Sequence, residues 1–239
     1  MKKELLIASV FAATIAGAGS VTTSNTMGYV PVDGANSTTA NGKKMYMVVA
    51  PFSGYDNGQI ALADVIQTAG LSQGDEIFIP NGAGYDNYTL DDKGAWTASK
   101  IVTINSDGTV TEKSGKPADT ATIDRGNGFW VKTEASSLSL FGNAVTAKAQ
   151  VSAAGGGSKN AWTMIGSTLN GEIAMKDLSG VGAQGDVIVL ANGTRYTKGA
   201  SAWKNTTLRS PQALTDADKI PPGVGFWYAS KSGLQNQNL

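Results

Sequence analysis

Apolar and polar positions along the chain recur mostly with a period of two, the signature of strands rather than helices. Tyr46-Met47-Val48-Val49-Ala50-Pro51 is a continuous apolar run of strand length. Glu76-Ile77-Phe78-Ile79 is a β-branched and aromatic run led by an acid, and Val187-Ile188-Val189-Leu190 echoes it. Phe129-Trp130-Val131-Lys132 and Leu138-Ser139-Leu140-Phe141 read as a closing pair of strands. Six Asn-Gly dipeptides, beginning at Asn41, Asn57, Asn81, Asn127, Asn170 and Asn192, supply the positive φ that tight turns need. A 3.6-residue stripe predicts one short α-helix over residues 60–69, stopped by Gly70. A shorter one is predicted over residues 173–178, ending at Gly180.

The chain compares well with itself. Gln73-Gly74-Asp75 and the strand behind it recur as Gln184-Gly185-Asp186, 111 residues on, each followed by an Asn-Gly and a tyrosine, Tyr85 and Tyr196. Asn57-Gly58-Gln59-Ile60-Ala61 returns as Asn170-Gly171-Glu172-Ile173-Ala174. Gly94-Ala95-Trp96 matches the region of Ala202-Trp203, and Gly126-Asn127-Gly128-Phe129-Trp130 matches Gly223-Val224-Gly225-Phe226-Trp227. Landmarks in one order with indels between them predict a duplication: β-rich units at residues 45–146 and 161–239. Between them, residues 147–160 are small and glycine-rich and read as a flexible connector. Residues 19–44 form an N-terminal segment with one expected strand, Met27-Gly28-Tyr29-Val30-Pro31-Val32. The expected fold is mainly β: two tandem, similar, sandwich- or barrel-like units, each with one short α-helix.

The first 18 residues change the picture from fold to address. Lys2 and Lys3 precede an apolar stretch of 12 residues, and Ala16-Gly17-Ala18 offers the small side chains a signal peptidase needs. The stretch is shorter than the ~20 residues of a spanning helix, so a secreted, periplasmic or cell-surface protein without an integral membrane segment is expected after cleavage. Removal of residues 1–18 leaves 17 basic and 18 acidic groups, a balance that argues against a nucleic-acid partner. The chain has no Cys and no His, which excludes a disulfide framework, a thiolate nucleophile, a zinc finger and an imidazole base.

Candidate chemistry is correspondingly thin. Asp75 and Asp186 recur beside the same Gly, and Asp at a turn-to-strand boundary caps loop amides; no second ligand repeats beside them, so no metal, cofactor or catalytic residue is assigned. The Gly-x-Gly motifs lack the helix and Lys of a phosphate loop and read instead as bends that admit close backbone approach. Trp130 and Trp227, in apolar strands behind those motifs, are expected in the core. Trp96 and Trp203 lie among polar residues, and with Tyr85 and Tyr196 they are the candidate ligand-binding residues, able to stack on sugar rings if exposed.

The early Met27-to-Val32 strand, the Gly-Asp plus strand, the Asn-Gly-x-x-Tyr hairpin, the lone Trp and the closing Gly-x-Gly-Phe-Trp together resemble a group of uncharacterised secreted, β-rich proteins of the Planctomycetes–Verrucomicrobia group of bacteria. The likeness covers most of the chain beyond the leader. Residues 45–51 depart from it in lacking an Asn-Leu-Ile-Ser run. It implies a secreted β protein and carries over no functional residue. The expected function is a non-enzymatic structural or interaction protein of the envelope or extracellular matrix; the alternative is a carbohydrate-binding module. Polysaccharide or other envelope components are the expected partners, with self-association left open.

Overall fold

The computed structural model describes residues 27–50, 59–66, 70–82, 84–114, 118–143, 149–168 and 171–239. The expected leader, residues 1–18, lies outside them. The N-terminal half contains β1 (Met27–Asp33), β2 (Ser37–Ala40), β3 (Lys43–Val49), β4 (Gln59–Ala61), α1 (Leu62–Val65), β5 (Glu76–Pro80), β6 (Gly84–Leu90), β7 (Trp96–Ile104), β8 (Val110–Ser114), β9 (Thr122–Asp124), β10 (Gly128–Thr133) and β11 (Ser137–Asn143). The C-terminal half follows with β12 (Gln150–Ala153), β13 (Ala161–Gly166), β14 (Ile173–Ala174), β15 (Val187–Val189), β16 (Arg195–Lys198), β17 (Trp203–Asn205), β18 (Lys219–Ile220), β19 (Gly225–Ser230) and β20 (Leu234–Asn238).

Several sheets form, and none closes into a barrel. The larger is the seven-stranded antiparallel sheet β2-β3-β10-β5-β6-β7-β8; the smaller is the five-stranded antiparallel sheet β13-β19-β15-β16-β17. Two-stranded ribbons β1-β11, β4-β9, β12-β20 and β14-β18 complete the pairing. The strand period of two sets which side chains are covered. In β10, Phe129, Val131 and Thr133 are buried while Trp130 and Lys132 between them are only half-buried.

Five local expectations are corrected. The first helix is a single turn, α1, because Ile66 returns to extended backbone (φ −123°, ψ 121°) and pairs with Leu140; residues 67–69 lie outside the described ones. The second is a 3-10 turn, Met175–Leu178, rather than an α-helix, its Met175 and Leu178 buried. β10 and β11 do not pair with each other: β10 lies between β3 and β5, and β11 takes β1 as its partner. The N-terminal segment holds a second strand, β2, and the expected connector contains β12, which pairs with β20.

The two halves meet through their glycines. Val49 N–H donates to Gly223 O (3.0 Å) and Gly166 N–H donates to Gly126 O (3.1 Å). Val48 bridges Val224, and Ile165 bridges Asn127. A Cβ on Gly225 would lie 2.8 Å from Val48 O, and one on Gly128 would overlap Met164. Both Gly-x-Gly motifs are therefore places where one half's backbone touches the other's strand. The buried apolar side chains form one contiguous cluster that includes Val48, Phe129 and Leu140 from one half and Ile165, Val224 and Phe226 from the other. No described helix is long and apolar enough to cross a membrane.

Candidate binding cleft

Both repeated carboxylates sit at a turn. Gly74 (φ 84°) and Gly185 (φ 93°) take left-handed backbone, and Asp75 N–H and Asp186 N–H close their turns onto Ser72 O and Ala183 O, each at 3.0 Å. The carboxylates turn back on the same loops. Asp75 Oδ2 accepts from Ser72 N–H (2.9 Å) and from the Thr133 hydroxyl (2.6 Å), while Oδ1 meets Lys43 Nζ at 3.0 Å. Asp186 Oδ2 accepts from Ala183 N–H (2.7 Å) and from the Tyr228 hydroxyl (2.5 Å). Burial, reinforced by that carboxylate, pushes the Tyr228 hydroxyl far above its ordinary pKa. Two buried acids bonded back to their own loops in this way hold turns shut.

The candidate sugar-stacking residues are not brought to one face. Trp203 is 1% exposed: its indole N–H donates to Leu178 O (3.0 Å) and Val181 O (3.2 Å), and Lys198 Nζ stands 6.0 Å from its ring centroid. Trp96 is 7% exposed, and its indole N–H meets no acceptor among the described residues. Tyr196 is buried, and burial, with Asp218 nearby, raises its hydroxyl to about 12. These three rings are buried in the core rather than exposed on one face. Tyr85 is half-buried and is not the structural counterpart of Tyr196. In register, Tyr196 lies opposite Ile188, and the residue opposite Ile77 is the buried Tyr88. Trp130 and Trp227, expected in the core, are half-buried.

Aromatic surface lies elsewhere, in a cleft of about 730 Å³ between the halves. That is within the ~300–1,000 Å³ usual for ligand sites. One wall is the hairpin of β5 and β6, with Ile79, Pro80 and Tyr85; its floor is the segment around Asp124 and Asn127. The opposite wall is β13, four of whose consecutive residues line the space, together with Trp227. The rings are held by other rings. Tyr85 stands edge-on to Phe78 at 6.3 Å, and Trp162 stands edge-on to Trp227 at 6.4 Å. Trp162 is 52% exposed, the largest open ring of the cleft. Asp124 is braced by Gln59 Nε2 (2.7 Å) and Asn127 Nδ2 (3.3 Å). Of the four candidate residues, Tyr85 alone reaches this cleft. The sequence carried a signal for Trp162: in Asn160-Ala161-Trp162-Thr163-Met164 it falls one position out of phase with Ile165, which is fully buried.

Comparison of the chain with protein-family models, curated proteins and solved structures finds no match.

Proposed function

We propose that the protein is a non-enzymatic structural or interaction protein of the bacterial cell exterior, made by tandem duplication of one β-rich unit. The observation that carries the reading is the reciprocity between the halves. β3-β10-β5-β6-β7 and β13-β19-β15-β16-β17 have the same strand order. Val49 faces Gly128 in β10 as Gly166 faces Gly225 in β19, and the N–H groups of Val49 and Gly166 donate to Gly223 O and Gly126 O of the opposite half. Equivalent groups meeting equivalent groups is the pattern of a self-complementary interface joined within one chain. The two units share one contiguous cluster of buried apolar side chains, and the repeated acids hold turns at its margin. The leader supports export, and the sugar-stacking alternative loses three of its four rings to the core.

Export with processing after Ala18 is the part most directly tested. Expression of the full chain in a bacterial host, followed by fractionation and intact mass, should yield an exported species lacking residues 1–18. A cytoplasmic species that retains Met1 would overturn the reading.

A further inference from the structure

We propose that the cleft between the halves is an acceptor for an extended peptide, which adds as an antiparallel strand to the edge of β13 over Ala161–Met164, where no described strand pairs. The proposal rests on the equivalence of the halves, and its support is what the other half does with the same edge. Counting back from the matched Val49 and Gly166, Met45 of β3 corresponds to Trp162 of β13. In the N-terminal half that edge is covered: β2 pairs with Lys43, Lys44, Met45 and Tyr46, with Thr38 opposite Met45. In the C-terminal half, residues 154–160 run from β12 to β13 without a strand, and β13 ends its sheet.

The open edge presents the groups a strand would use. Gly166 N–H points away from β19, to Gly126 O. Backbone alternation therefore turns the N–H groups of Met164 and Trp162 to that same side. The cleft runs along this edge, since consecutive residues from Ala161 to Met164 line one space although their side chains alternate between faces. The surroundings match as well. The Asn192 side chain of one Asn-Gly hairpin contacts Ala35 O, just ahead of β2, and Gly82 of the corresponding hairpin borders the cleft. Charge selects the occupant. Among the described lining residues Asp124 is the one charged group, and no Lys or Arg is present. A neutral or basic segment rich in small hydroxylated residues, as β2 is, fits; an acidic one is repelled.

The experiment uses the full chain and a fluorescently labelled synthetic peptide with the sequence of residues 34–43, which the protein itself places on the equivalent edge. Binding is read by anisotropy against wild type, Trp162→Ala and Trp162→Pro, with thermal melts of each variant. Proline removes the edge-facing N–H, and edge strands tolerate it where that group faces solvent. The expected result is saturable binding that weakens about tenfold in Trp162→Pro and much less in Trp162→Ala, as loss of a ladder bond and close approach predicts. A Thr38→Pro peptide should bind wild type about tenfold more weakly, a comparison that does not depend on the variants folding. No binding at millimolar peptide overturns the proposal. So does binding insensitive to both prolines, or an equal loss in both Trp162 variants with competition by cellotetraose, which marks a ring-stacking sugar site. A faulty duplication would show instead as mismatched register between the halves in an experimental structure, leaving the binding result intact.

Discussion

Replacing Gly225 by Ala tests how the halves are joined. The added methyl would lie 2.8 Å from Val48 O, 3.1 Å from Val48 C and 3.3 Å from Val48 N. All three are backbone atoms of an inner strand, so no side-chain rotation relieves them. Val48 and Phe226 on either side are fully buried. The halves must separate locally, at an overpacking cost of about 1–3 kcal/mol. Weakening the adjoining bond from Val49 N–H to Gly223 O adds about 0.5–1.5 kcal/mol. For a chain of this size, 2–4 °C of melting temperature per kcal/mol makes the drop roughly 3–18 °C. Gly180 is the control: a methyl added there would meet nothing within 4 Å, and its φ is not left-handed, so Gly180→Ala should stay within about 0.5 kcal/mol. Urea unfolding followed by tryptophan fluorescence and by far-ultraviolet circular dichroism should show one coincident transition for wild type, shifted down in Gly225→Ala. Equal midpoints for the two variants, or two separate transitions in wild type, would refute a shared core.

Trp203→Ala should cost about 3–5 kcal/mol, as truncation of a buried aromatic does, whereas the exposed Trp162→Ala should cost about 0.5 kcal/mol or less; chemical denaturation of both gives the answer, and a cheap Trp203→Ala would return that ring to the surface. Stability should fall as pH rises above about 10, the ordinary tyrosine value. Burial, then contact with Asp186, raises the folded-state pKa of Tyr228, so in that window the unfolded chain has lost a proton that the folded chain keeps. Melts between neutral and alkaline pH should therefore decline less steeply in Tyr228→Phe; parallel curves would remove Tyr228 from the account.

Strands whose apolar positions run together were readable directly: β3, β5, β10 and β15 fall where Met47-Val48-Val49, Ile77-Phe78-Ile79, Phe129-Trp130-Val131 and Val187-Ile188-Val189 place them. What local pattern could not supply was cover from remote segments. Trp203 looks polar in sequence because Lys204 and Asn205 follow it, yet the 3-10 turn at Met175–Leu178 and the loop behind it close over its indole. Trp130 misleads in the opposite direction. Its neighbours Phe129 and Val131 are fully buried, and the strand period puts a residue between two inward ones on the other face. That inference was available from Lys132, which shares Trp130's face. The cleft was not available at all. It exists because two halves meet and because one edge lacks the strand that covers the other.

The outermost pairing of each half also decides how the molecule responds to force. β1 lies against β11 with Met27 opposite Asn143, and β12 lies against β20 with Gln150 opposite Asn238. The first and last strands of a half are antiparallel, so the start of one and the end of the other are neighbours. Tension applied there peels the ribbon open, breaking its hydrogen bonds a pair at a time instead of shearing them together. Such a ribbon yields at low force. Under stretch the halves would lose these ribbons first, while the contacts of Val48 with Val224 and of Ile165 with Asn127 stay out of the line of pull.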